Sequence, residues 1–281
     1  MLGLKKFFVK KFHSDLALNY LSLIFLGISG IFLNIIIARN YGSSVLGVFN
    51  QVLSIYIIVP MICSAGIPYS TLHYLPKYDS KSLQAKSLIS SAIVIVVVLS
   101  SILTVFFNYL IIPLSNLLDS EGMIIGLKSI MPGIFFFSIN KVFIYGVING
   151  LRRMKRFAIY QSIRYLLILL SLFVFNNYEF NGYFLPIVFT FSESILFMIL
   201  IIDLSNLLKF WSFKKDFFYW IKKHFLFGIK STFNGVLVEI NSRVDILMIG
   251  IFLADNDVGI YSISALFAEG FLEIFIVIQN N

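Results

Sequence analysis

Seven ionisable side chains interrupt long apolar stretches of the sequence: Lys141, Arg164, Glu193, Glu239, Arg243, Asp245 and Glu269. A charge at the centre of a bilayer costs about 2.5–3.5 kcal/mol on insertion scales, so each one needs a partner, water or a function. The basic members suit phosphate, which Arg binds in a bidentate manner and Lys meets as a compact point charge. The acidic members suit Na⁺ or H⁺. The sequence thus offers the parts of an anion site beside a cation site.

Pairing within the chain is the alternative interpretation of these charges. Glu239 and Arg243 are four residues apart with the acid first, the favoured order for an ion pair along one helix. Lys141 and Glu193 are expected at similar depth and could also neutralise one another. Arg164 is about two turns into its apolar stretch, close enough for its side chain to extend to the membrane surface. The sequence leaves pairing and ligand binding open for all of them.

Eight apolar stretches are long enough to cross a bilayer, which takes about 20 helical residues. The chain is 59% hydrophobic and 13% charged, against about 25% charged in soluble domains. A transmembrane barrel would show alternating segments of about 10 residues, whereas these runs are continuous. We therefore predict an all-α polytopic transmembrane bundle with spans near Leu16–Ala38, Leu46–Ile67, Leu88–Ile112, Lys128–Gly150, Phe157–Phe175, Tyr183–Leu204, Phe225–Leu253 and Val258–Ile278.

Basic residues cluster at every second junction between these stretches. The net charge is +8, and 16 of the 22 Lys and Arg residues fall before span one or after spans two, four and six. By the positive-inside rule these loops and the N-terminus are cytoplasmic. The positive charge is then a topology signal and a contact for membrane lipids, not for nucleic acid. The first apolar stretch is too long for a cleavable signal peptide. The lone Cys63 and scattered His13, His73 and His224 predict neither a disulfide framework nor a metal site.

A weak internal repeat divides the chain. Shifting the sequence by 212 residues aligns Ile37–Phe49 with Ile249–Tyr261, each an apolar helix end, a short polar loop and an aliphatic-Gly-aliphatic-aromatic start. Parallel repeats of this kind build transporters. We predict a six-span half over residues 1–208, an aromatic and basic cytoplasmic linker over 209–224, and the first two spans of a second half over 225–281.

The same segments carry a family resemblance. The run from Ala38 to Phe49, with Arg39, Gly42 and Gly47, resembles the signature A-R-x-x-G-x-x-x-x-G-x-[FY] of bacterial polysaccharide transporters of the O-antigen flippase type. The run Ser242–Gly250 followed by Val258–Ser262, with Gly250 and Gly259, resembles the matching signature in the second half. These proteins belong to the multidrug/oligosaccharidyl-lipid/polysaccharide exporter superfamily. Its members usually have more than eight spans, so the resemblance implies a C-terminally truncated chain.

The resemblance implies a transporter and not an enzyme. The expected cargo is an oligosaccharide linked through pyrophosphate to a polyprenyl lipid, moved by alternating access across the bacterial inner membrane, alongside other polysaccharide-assembly proteins. Lys141, Arg164 and Arg243 would then meet the pyrophosphate, and Glu193, Asp245 or Glu269 would bind a coupling Na⁺ or H⁺, with no other cofactor. A multidrug exporter of the same superfamily, a membrane enzyme of polysaccharide assembly and an inactive fragment are the alternatives.

Overall fold

The chain folds into a bundle of α-helices with no strand in the part of the chain that the structure describes. A computed structural model describes residues 26–176, 181–208 and 216–279, with side chains to residue 204 in the second range and residue 268 in the third. The helices are α1 (Leu26–Tyr41), α2 (Ser43–Cys63), α3 (Ile67–Tyr74), α4 (Leu83–Leu117), α5 (Glu121–Lys141), α6 (Met154–Asn176), α7 (Ile187–Leu208), α8 (Asp216–Phe252) and α9 (Asp255–Gln279).

The surface of the bundle is apolar, as a bilayer requires. Within the described ranges, five helices have the length and composition of a membrane span: Ser43–Cys63, Leu83–Leu117, Glu121–Ile148, Met154–Asn176 and Gly182–Leu204. Large side chains such as Tyr109, Ile202 and Phe252 lie more than 70% exposed on the outside. The predicted all-α membrane bundle is confirmed. The remaining predicted spans overlap α1, α8 and α9, and residues 16–25 of the first span lie outside the described residues, so the total of eight stays a prediction.

The second predicted span is broken where its sequence indicates. Pro60 lies in the last turn of α2, which ends at Cys63, and α3 begins at Ile67 with Pro68 in its first turn. Between them Ala65 and Gly66 have φ of 46° and 64°, which interrupt the helix before it restarts. Gly42, with φ of 86°, makes the turn from α1 to α2. Only Gly adopts this conformation without strain, which explains that residue of the signature.

Helix α5 changes from α-helical to π-helical winding at Lys141, one of the predicted site residues. It ends at Lys141 and continues as a π-helix over Val142–Ile148. Single π turns inside α-helices are rare and frequent at functional sites, because they rotate the following side chains relative to the preceding ones. Two hydrophobic cores meet along this helix, one with α2, α6 and α7 and one with α3, α4 and the π segment.

Helix α8 lies along α2, α3 and α4. Residues 209–215 of the predicted linker lie outside the described residues, while Asp216–His224 forms the first turns of α8. His224 is fully buried there, with Nδ1 2.8 Å from Ser70 Oγ and Nε2 3.1 Å from the Leu88 carbonyl oxygen. Since a carbonyl only accepts, Nε2–H donates to Leu88 and Nδ1 accepts from Ser70. These bonds tie α8 to α3 and α4.

Candidate functional site

One face of α8 carries the residues that meet α2 and α3. Its members are spaced three or four residues apart, as a single helical stripe requires: Gly228, Thr232, Gly235, Glu239, Arg243, Ile246 and Gly250. A Cβ on Gly228 would collide with the Ala65 carbonyl oxygen, one on Gly235 with the Met61 methyl group, and one on Gly250 with the Gln51 side chain. The stripe therefore touches its neighbours closely at its glycines, and it carries its two charges between them.

A cleft of about 180 Å³ opens beside the middle of this stripe. Its walls come from α1, α2, α6, α7, α8 and α9, so both predicted halves contribute. Arg243 is the charged member of the lining among the described residues, and the polar and aromatic members are Ser29, Asn34, Asn50, Tyr165, Phe189 and Ser262. The rest of the wall is aliphatic or glycine. This combination offers one cation, several amides and hydroxyls, and flat aromatic faces.

A short hydrogen-bond chain crosses one wall of the cleft. The Asn50 side-chain amide donates to Asn34 Oδ1 and to Ser262 Oγ, both at 2.9 Å, and all three residues are buried. Asn34 belongs to α1, Asn50 to α2 and Ser262 to α9. Asn50 and Ser262 are equivalent positions under the 212-residue shift. Sequence reasoning missed these residues, although Asn50 follows directly on the first signature segment and Ser262 is the last residue of the second.

The signature glycines lie at the crossing of α2 and α9. A Cβ on Gly47 would collide with the Asp255 carbonyl, and a Cβ on Gly259 would collide with the Ser43 carbonyl and lie 3.2 Å from the Gly47 nitrogen. Gly47 and Gly259 are again equivalent under the shift and lie against each other. Arg39 is exposed at the end of α1.

Asp255 holds the neighbouring end of the bundle together. Gln51 Nε2 donates to one carboxylate oxygen at 2.8 Å, and Ser120 Oγ donates to the other at 2.7 Å. The residue thus joins α9 to α2 and to the turn before α5. Ser43 adds a hydrogen bond to Asn256. In the sequence Asp255 is one of several loop acids, and nothing in its surroundings there marks this role.

Glu193 pairs with Arg164 and not with Lys141. Arg164 Nε lies 2.6 Å from Glu193 Oε1, with 6% and 2% of the two side chains exposed. Asn140 Nδ2 donates to Glu193 Oε2 at 2.7 Å, and Arg164 Nη1 donates to Gln161 Oε1 at 3.0 Å. The expectation that Arg164 extends to the membrane surface is therefore wrong. The buried Glu193 carboxylate holds the Arg164 guanidinium inside the bundle, where it is bonded to Glu193 and Gln161.

Lys141 lies next to this pair without joining it. Its Nζ is 5.1 Å from the centre of the Phe137 ring and 3.9 Å from Met61 Sδ. The Arg164 guanidinium lies 4.6 Å from the same ring, and Tyr56 stacks on it at 5.1 Å. Within the described residues Lys141 forms no ion pair. An ammonium against an aromatic ring and a thioether is only partly compensated, so this cation retains capacity for an anion.

The acids of α8 and α9 have different surroundings. Glu239 and Arg243 do not form the ion pair that their spacing would allow. The ion pairs between described side chains are Arg156–Asp203 and Arg164–Glu193. Asp245 Oδ2 accepts from the Tyr261 hydroxyl at 2.7 Å, while Oδ1 is buried without a hydrogen-bond partner among the described residues. Glu269 lies in α9, and its side chain is outside the described part of the chain.

Comparison with known proteins identifies the family. The model of the family described as "Polysaccharide biosynthesis protein" matches residues 16–272. The chain therefore belongs to this family, and the resemblance inferred from the signature segments is confirmed at that level. No curated protein and no solved structure shows significant similarity to the chain.

Proposed function

We propose that this member of the polysaccharide biosynthesis family is a flippase. Its cargo is an oligosaccharide linked through pyrophosphate to a polyprenyl lipid, and it moves this unit across the bacterial cytoplasmic membrane for surface polysaccharide such as O-antigen or capsule. The family, the membrane bundle and the cleft shared by both predicted halves support transport by alternating access. The basic-loop pattern supports a cytoplasmic N-terminus.

The observation that carries the proposal is Arg243 in the wall of the cleft. A pyrophosphate cannot enter hydrocarbon unaided, because removing its charge from water is prohibitively costly. A guanidinium inside the bundle offsets that cost with charge-assisted, bidentate hydrogen bonds. In our proposal Arg243 therefore holds the pyrophosphate while the polyprenyl tail stays in the surrounding lipid, against the exposed aliphatic surface.

The remaining cleft residues suit the sugar. Asn34 and Asn50 present amides, Ser262 a hydroxyl, and Tyr165 and Phe189 aromatic rings. Amides and hydroxyls can exchange hydrogen bonds with sugar hydroxyls, and an aromatic face covers the apolar face of a sugar ring. Lys141 is a second cation for the anionic part of the cargo. Arg164, already committed to Glu193, acts in this scheme by fixing α6 and hence the neighbouring Tyr165.

Among the described residues, Asp245 is the strongest candidate for binding the coupling ion. One of its oxygens is bonded to Tyr261 and the other is buried without a partner in the described residues, so the carboxylate retains room for H⁺ or Na⁺. Glu193 is occupied by Arg164 and Asn140. Glu269 remains a candidate by its position in α9.

A multidrug exporter is the second candidate function, and the same cleft argues against it. An exporter of organic cations needs acidic groups that attract them, whereas the charged residue in the described lining is an arginine. Arg243 would repel such cargo across a medium of low dielectric constant. A membrane enzyme of polysaccharide assembly would act on the same unit without moving it, so assays of transport separate the two.

The test uses Arg243→Ala and Arg243→Lys in the native host. We expect Arg243→Ala to abolish surface polysaccharide and to accumulate the lipid-linked unit on the cytoplasmic side, at unchanged protein level. Arg243→Lys should retain part of the export, because it keeps the charge and loses the bidentate geometry. Lys230→Ala, an exposed cation on the same helix, is the matched control and should export normally. Normal export by Arg243→Ala would contradict the proposal.

A further inference from the structure

Lys141 and the stripe of α8 that carries Glu239 both contact Met61. Lys141 ends α5, and its ammonium contacts the Met61 sulfur atom. On its other side the buried Met61 meets Gly235 of α8. Glu239 follows Gly235 by one helical turn on the same stripe, and it is partly buried. The order of contacts therefore leads from Lys141 through Met61 to the position of Glu239.

The electrostatic surroundings of Lys141 agree with this order. Three charged groups act on it: Glu239, Arg164 and Glu193, and the attraction by Glu239 is the largest of these effects. Glu193 is nearer to Lys141 in sequence and belongs to the same predicted half, but its carboxylate is paired with Arg164. Glu239 has no ion pair with Arg243 or with any other described residue. Among these charged groups Glu239 therefore acts most strongly on Lys141, although the two side chains form no ion pair.

The position of Glu239 along α8 indicates when the cargo would meet Lys141 and Glu239. Arg243 and Ile246 line the cleft, and Glu239 lies one turn from them toward the crossing of α8 with Ala65 and Gly66. By the predicted orientation this crossing is on the cytoplasmic side. Cargo loaded from the cytoplasm would pass Lys141 and Glu239 before it reaches Arg243.

We propose that Glu239 is the resident counter-charge of Lys141, and that the phosphate of the cargo displaces it on entering the cleft. The ammonium then exchanges one anion for another, and at no stage does it lie in the membrane without a counter-charge. The identity of the cargo in this inference rests on the proposed function, whereas the pairing itself does not.

The pairing is tested by a double-mutant cycle on the purified, cargo-free protein. Lys141→Met and Glu239→Gln should each lower the melting temperature, and the double variant should lose less than the sum of the two. The matched cycle combines Lys141→Met with Glu193→Gln, for which we expect the two losses to be closer to additive because Glu193 serves Arg164. Additive losses with Glu239, or a larger coupling with Glu193, would overturn the pairing.

Displacement is tested with inorganic pyrophosphate as the probe. Removing the competing carboxylate in Glu239→Gln should tighten pyrophosphate binding by about 5-fold or more, the lower end of usual coupling between sites. Lys141→Met should weaken it. Unchanged affinity in Glu239→Gln would overturn the displacement even where the stability cycle shows coupling. Since neither measurement depends on export, their failure is distinguishable from a failure of Arg243→Ala to block transport in cells.

Discussion

The variant Glu193→Gln tests most directly whether Arg164 and Glu193 form a buried ion pair. Glu193→Gln keeps the shape of the side chain, but it leaves the Arg164 guanidinium buried opposite a neutral group. With 6% and 2% of the two side chains exposed and 2.6 Å between Arg164 Nε and Glu193 Oε1, no solvent is available to replace the lost charge. Breaking one partner of such a pair costs about 3–5 kcal/mol. Asn140 keeps its second hydrogen bond, to the Glu193 backbone oxygen at 2.9 Å, so it adds little to this cost.

The assay is reversible unfolding in detergent, with the surface pair as the control. In the pair Arg156–Asp203, 46% and 31% of the side chains are exposed, and exposed pairs contribute about 0–1 kcal/mol. Asp203→Asn should therefore change the free energy of unfolding far less than Glu193→Gln. The double variant Arg164→Met/Glu193→Leu should recover most of the loss, because no unpaired charge remains. Equal effects of Glu193→Gln and Asp203→Asn would refute the reasoning.

Two further predictions concern helix contacts. Burial lowers the pKa of His224, which lies just before the predicted seventh span, from 6.5 to about 4. Because the unfolded chain binds this proton more readily, the free energy of unfolding should fall as the pH drops from 6.5 toward 4. The expected loss is about 2 kcal/mol at pH 5. Thermal unfolding across this range should show the loss in the wild type and in the control His73→Gln, an exposed site, and a much smaller loss in His224→Gln. Gly259→Ala places a Cβ against the Ser43 carbonyl and should cost about 1–3 kcal/mol by overpacking. The control Gly27→Ala meets nothing within 4 Å and should be neutral or stabilising; a neutral Gly259→Ala would contradict the close crossing of α2 and α9.

The features that depend on local chemistry could be predicted from the sequence. Apolar runs indicated the helices, and the repeated glycines pointed to Gly47 and Gly259, which lie against each other. Each of these depends on the residues themselves or on a spacing along one chain segment. The backbone conformation at Gly42 likewise follows from its residue type.

The partners of the buried charges could not be predicted, because they depend on which helices are neighbours. Spacing along α8 favoured Glu239 with Arg243, but Arg243 lines the cleft, Glu239 does not, and the two form no ion pair. Equal depth favoured Lys141 with Glu193, yet α6 brings Arg164 closer. Asp255 became a junction of three segments only through the fold.

Transport of the lipid-linked unit by the purified protein tests the central claim most directly. The protein is reconstituted in liposomes that contain a polyprenyl-pyrophosphate oligosaccharide, and the fraction of sugar that becomes accessible to an impermeant probe is followed with time. We predict that wild-type protein moves the unit, under a pH or Na⁺ gradient, faster than protein-free liposomes, and that Arg243→Ala reduces this to the protein-free rate while Lys230→Ala does not. Equal rates for wild type and Arg243→Ala, or no movement by wild type under either gradient, would contradict the account.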